Sequence, residues 1–107
     1  MIAKIQMNKP SNQSSNQFIK HYNITVKGKV QRVSFRFTTH ALALKLGLSG
    51  FVRNMSNGNV YMEVEGIEDH INKLIDWCQV GPPKADIKEV QAVEAELKNF
   101  SSFEIKR

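Results

Sequence analysis

Cysteine is nearly missing from this 107-residue chain: Cys78 stands alone, and a lone thiol cannot close an internal disulfide. A fold stapled by disulfides is thereby excluded, and a reducing cytoplasm is the expected compartment. Histidine is also scarce; His21, His40 and His70, with Cys78, fall at none of the spacings that ligate a metal. No apolar run approaches membrane-spanning length. The first residues lack the apolar stretch of a secretory signal, because Lys4 and Gln6 interrupt Ile2, Ile5 and Met7. Paired catalytic acids, a nucleophile elbow and a Walker-type glycine-lysine loop are all absent. The chain reads as soluble, untargeted and without a membrane partner.

Acid is missing from residues 1–20, which contain Lys4, Lys9 and Lys20. Part of the net charge of +5 therefore lies outside the expected folded part, and the basic balance is weak support for nucleic acid. Residues 8–17 hold no aliphatic or aromatic side chain beyond the Pro10 ring, too little apolar surface to offset the entropy of ordering. Residues 1–20 are expected to form a flexible polar tail, and residues 21–107 one small domain. At this length no second core is expected, and the expected state is a monomer.

Within the domain the hydrophobic period switches several times. Tyr22, Ile24 and Val26 alternate with Asn23, Thr25 and Lys27, a half-buried strand expected to stop at Gly28. A helix is predicted from about Phe35 to Leu46, with Ser34 as N-cap and Gly47 in the left-handed position past its end. Leu48 to Asn54 reads as a strand, and Asn57-Gly58 as a hairpin turn. Asn59 to Glu65 returns as a third strand, with Val60, Met62 and Val64 on one face and Gly66 closing it. A second helix is predicted over about Glu68 to Val80, burying Ile71, Leu74, Ile75 and Cys78, before Gly81-Pro82-Pro83 ends it. The pattern of Asp86 to Leu97 is ambiguous, since Ile87, Val90 and Glu94 suit a helix, whereas Val90, Ala92 and Glu94 suit a strand with irregular ends. Phe103 and Ile105 mark a short last strand. With Asp86 to Leu97 as a strand, the order is β-α-β-β-α-β, whose compact solution is an α+β, ferredoxin-like sandwich with two helices on one face of an antiparallel sheet.

The chemistry concentrates where the first strand turns into the first helix. Gly28 starts a loop, Lys29, Val30, Gln31, Arg32, Val33 and Ser34, that runs into a helix start, where backbone N–H groups converge and the helix dipole favours an anion. Arg36, on the first turn, offers a planar fork of donors suited to two phosphate oxygens. A cation beside a helix N-terminus is mildly unfavourable, so an anion there is the natural partner. Asn54, at the end of the second strand, has a carboxamide able to donate and accept at once, though by residue type alone it reads as a turn cap. Anion cradle, fixed cation and amide together suggest hydrolysis of a phosphate ester or anhydride. His21, His40 and His70 read as surface or boundary residues, and Trp77 and Cys78 as core or boundary groups.

The run Gly28-x-Val30-Gln31-x-Val33-x-Phe35-Arg36, then Leu46-Gly47-Leu48-x-Gly50-Phe51-Val52-Arg53-Asn54 and Gly58-x-Val60, resembles the acylphosphatase family over about residues 21–105. The resemblance implies a ferredoxin-like fold, with Asp86 to Leu97 as a strand. It also implies a metal-free, cofactor-free hydrolase that cleaves the carboxyl–phosphate bond of acyl phosphates. Arg36 matches the family's phosphate-binding catalytic arginine, Asn54 the asparagine that orients the attacking water, and residues 29–34 the loop around the phosphate. Arg32 departs from the pattern, which has glycine there. If the position needs positive φ, the Cβ costs about 1 kcal/mol or more. The alternatives are a non-catalytic module binding phosphate or nucleic acid, and an accessory domain in protein maturation; the absence of a further domain after Arg107 counts against the second.

Overall fold

The computed structural model describes residues 4–8 and 18–107. Its strands are β1 (Lys4–Asn8), β2 (Ile19–Lys29), β3 (Ser49–Asn54), β4 (Val60–Ile67), β5 (Asp86–Ala95) and β6 (Phe103–Lys106). Helix α1 (Phe35–Lys45) follows β2, and α2 (Glu68–Cys78) follows β4. The strands form one sheet in the order β1-β5-β2-β4-β3-β6. Its four central strands are antiparallel, as expected for the ferredoxin-like order, while β1 and β6 add to the two edges in parallel.

The core fills the space between helices and sheet. Tyr22, Ile24 and Val26 of β2 and Val60, Met62 and Val64 of β4 are buried, as their alternation predicts. Against them lie Ile71, Leu74, Ile75 and Cys78 of α2, and Phe35, Thr39 and Ala43 of α1. The Phe35 and Trp77 rings, 5.0 Å apart, join the two helices. Gly47, with φ 70°, takes the left-handed position past α1 that the pattern assigns to it.

Three differences from the sequence pattern lie within the domain. Strand β2 does not stop at Gly28 but passes through it by a register shift between Lys27 and Gly28. Gly28 has φ 128°, and a Cβ there would lie 2.2 Å from the Asp86 carbonyl oxygen, so a side chain is sterically barred. The same shift leaves Lys88 unpaired between partners Ile87 and Glu89, and both Ile87 and Val90 face the core. That three-residue interval inside a strand is what imitates a helix. Strand β4 continues past Gly66 to Ile67.

The segment expected as a tail contains β1, which pairs with β5 from Lys4 opposite Glu89 to Asn8 opposite Val93. Without it, one side of β5 would be an open edge of backbone donors and acceptors, which favours recruitment of an extended segment. Strand β2 also begins within this segment, at Ile19. The rest of the expected tail, residues 1–3 and 9–17, lies outside the described residues.

Candidate active site

Strand β2 carries the chain to the site. Lys29 is still paired with Asp86, so the loop proper starts at Val30. Val30 and Val33 are buried and plug the loop into the core, while Arg32 and Ser34 between and beyond them stay exposed. Arg32 has φ 62° and Ser34 φ 66°, both left-handed, whereas Val33 between them does not. Such alternation turns successive backbone N–H groups toward one side, the geometry of an anion-binding concavity. Arg32 therefore occupies the positive-φ position that its departure from glycine raised.

Ser34 stands at the N-cap of α1, yet among the described residues its side chain makes no capping bond. The helix is held instead by its backbone, with the Thr38 N–H donating to the Ser34 carbonyl at 3.0 Å. The first turn contains no acid, unlike that of α2 with Glu68 and Asp69. Its free N–H groups and dipole are thus not offset by a nearby carboxylate of that turn.

Arg36 projects across α1 toward the last strand, where its Nη1 donates to the Lys106 carbonyl at 2.9 Å. Asn54 closes β3 opposite Val60, and its Oδ1 is buried without a hydrogen-bond partner among the described residues. Gln31 joins the two halves: its Nε2 donates to the Met55 carbonyl at 2.7 Å and to the Asn59 carbonyl at 2.9 Å. Those carbonyls flank the Asn57-Gly58 turn, so loop and hairpin are held by one side chain.

Arg32, Ser34, Arg36 and Asn54 line a single cavity of about 290 Å³, with Phe37 and Ile105 among its apolar walls. Val30 also reaches the wall, whereas the side chains of Lys29, Gln31 and Val33 do not. Phe37, Ile105 and the Lys106 carbonyl were not singled out from sequence. No sequence motif marks them as site residues, because Ile105 and Lys106 reach the cavity only through the placement of β6 beside β3.

A second polar cluster lies on the sheet face turned away from the helices. His21 is fully buried, which corrects its reading as a surface or boundary residue. Its Nδ1 is 2.7 Å from Glu65 Oε2 and its Nε2 3.1 Å from Glu63 Oε1. Glu65 also accepts the backbone N–H groups of Lys98, Asn99 and Phe100, which draws residues 98–100 over the sheet. Burial alone would raise the Glu65 carboxyl, but the Lys98 N–H, His21 and the Phe100 N–H together hold it below the usual range. For Glu63, burial is likewise outweighed by Lys98 Nζ and the Tyr61 hydroxyl, and its pKa is also lowered. Among the described residues, no three His, Cys, Asp or Glu side chains are grouped to hold a metal, and no helix is long and apolar enough to cross a membrane.

The model of the family described as Acylphosphatase matches residues 22–105. An acylphosphatase of Aliivibrio fischeri is 44% identical over 86 residues, covering 80% of this chain and 96% of its own length. One from a Nostoc species is 37% identical over 98 residues, covering 92% and 96%. Among solved structures, an acylphosphatase from Coxiella burnetii superposes with a TM-score of 0.80 at 35% identity, over 82% of this chain and 93% of that one.

Proposed function

The chain belongs to the acylphosphatase family, a family of hydrolases, and we propose that the cavity beneath α1 is where it cleaves the carboxyl–phosphate bond. The observation that carries this reading is the convergence of Arg36, Asn54 and the left-handed loop at Arg32 and Ser34 on one cavity. The transferred phosphate docks against the backbone N–H groups of the loop, which the strand pairing of Lys29 narrows to residues 30–34, and the start of α1, and pairs with the Arg36 guanidinium. The bond from Arg36 to the Lys106 carbonyl uses one donor nitrogen and leaves the rest of the fork for phosphate oxygens.

Asn54 accepts a hydrogen bond from the attacking water at its Oδ1, which has no partner among the described residues, and holds that water in line with phosphorus. Water oxygen bonds to phosphorus as the phosphorus–carboxylate bond breaks, the electron pair leaving with the carboxylate. With no carboxylate or histidine lining the cavity among the described residues, a phosphate oxygen of the substrate takes one of the water's protons, and the other stays on the oxygen now bound to phosphorus. Catalysis then rests on positioning and on stabilising charge on the transferring group. The catalytic unit is the domain from residue 21 onward; we place it in the cytoplasm as a monomer.

The test is benzoyl phosphate hydrolysis by wild type, Arg36→Ala and Asn54→Ala with a chelator present. Turnover that resists the chelator and falls about a hundredfold in each variant, on the order of 3 kcal/mol, is expected. An Arg36→Ala variant with full turnover would overturn the assignment, and a folded wild type without turnover would favour a binding module.

A further inference from the structure

Two guanidinium groups line the cavity, and the proposed chemistry uses one. Arg36 is half-buried and tied to Lys106, while Arg32 is exposed at the rim. Arg32 makes no ion pair or hydrogen bond among the described residues, and no carboxylate lines the cavity to neutralise it. Its backbone is left-handed at φ 62°, a conformation that costs any residue with a Cβ. An unpaired cation held at a strained position beside another cation is unfavourable until an anion arrives. The transferred phosphate is already met by the loop N–H groups, the helix start and Arg36.

We propose that Arg32 forms an anion subsite at the mouth of the cavity and favours acyl phosphates whose acyl part carries a second anionic group, a carboxylate or a further phosphate. This rests on the cavity being the site of acyl phosphate hydrolysis. Arg32 is exposed where it lines the cavity, so its side chain is free to reach the part of a bound substrate that projects toward solvent. Phe37 and Ile105, largely exposed on the same wall, support the carbon skeleton of the acyl part without selecting its charge.

The test compares benzoyl phosphate with its 3-carboxy and 4-carboxy derivatives, which share one reaction and differ in a rigidly placed carboxylate. The ratio of kcat/KM for the better carboxy isomer over the parent is read in wild type, Arg32→Gln, Arg32→Lys and Arg32→Gly. Wild type should prefer the carboxy substrate about fivefold, and the preference should vanish in Arg32→Gln and Arg32→Gly but persist in Arg32→Lys. High salt should erase the wild-type preference, because a rim pair is screened by ions. A ratio unchanged by Arg32→Gln overturns the subsite; a drop in both substrates at constant ratio assigns Arg32 to the transferred phosphate instead. Failure of wild type to hydrolyse even benzoyl phosphate refutes the reading of the cavity, and the subsite falls with it.

Discussion

The Gln31 side-chain nitrogen lies 2.7 Å from the Met55 carbonyl oxygen, which places a loop residue's amide next to the residue that follows Asn54. Together with the bond to Asn59, this makes the separation between phosphate loop and Asn54 depend on one side chain. Gln31→Ala should lower stability by about 1–2 kcal/mol, since two partly buried carbonyls lose their donor. It should also lower kcat more than it raises KM, because Asn54 would shift while the cradle and Arg36 remain. Denaturant unfolding and steady-state kinetics on benzoyl phosphate measure both effects, and an unchanged kcat would confine Gln31 to stability.

Arg32→Gly separates backbone strain from charge. Relief of the left-handed Cβ is worth about 1–2 kcal/mol, and the added freedom of glycine in the unfolded chain offsets about 0.4–1 kcal/mol of it. The variant should therefore be more stable than wild type, with Tm higher by a few degrees. Arg32→Gln keeps the Cβ at φ 62° and should show no such gain. Equal melting temperatures for Arg32→Gly and Arg32→Gln would mean that the loop carries no strain at this residue.

The Glu65 carboxylate sets an acid limit. Its pKa in the fold is below the ordinary 4.5, so its contribution to stability is complete above that value and is lost as pH falls through the lowered one. Glu65→Gln should cost about 2 kcal/mol at neutral pH, where the N–H groups of Lys98, Asn99 and Phe100 lose an ionised acceptor. The gap between wild type and variant should narrow as pH drops below 4.5. Urea titrations at several pH values give this directly; a gap independent of pH would remove Glu65 as the source.

Cys78 offers a check on the core. The thiol is fully buried and desolvation pushes its pKa far up, so the thiolate that reacts is withheld in the native state. Modification by a thiol reagent should be slow in buffer and fast in denaturant. Rapid labelling of the folded protein would contradict the packing of α2 on the sheet.

Much of this was legible where the information is local. Alternation in Tyr22–Val26 and Val60–Val64, the Asn57-Gly58 turn and the apolar stripe of α2 each concern residues within one or two turns of one another. Asp86–Ala95 was ambiguous because the bulge at Lys88 breaks the period that pattern reading depends on. The surroundings of His21 were illegible for a different reason: its carboxylate partner Glu65 is 44 residues away, reached only through the pairing of β2 with β4. That alternation puts Glu63 and Glu65 on the face opposite the core was evident, but not that residues 98–100 would cover them. Likewise the loop and Arg36 stood out through their motif, whereas the anchor of Arg36 comes from Lys106, 70 residues on.

That anchor sits on the least secure element of the sheet. Strand β6 has four residues, lies at an edge, and from Glu104 onward is exposed to solvent. Short edge elements detach at a small fraction of the free energy of whole-domain unfolding. Warming should therefore peel β6 away while the four antiparallel strands and both helices still give a native spectrum, and Arg36 would then swing without its stop. Catalysis would fade several degrees before the fold melts, so this protein's working temperature would be set by its last four residues of strand rather than by its core.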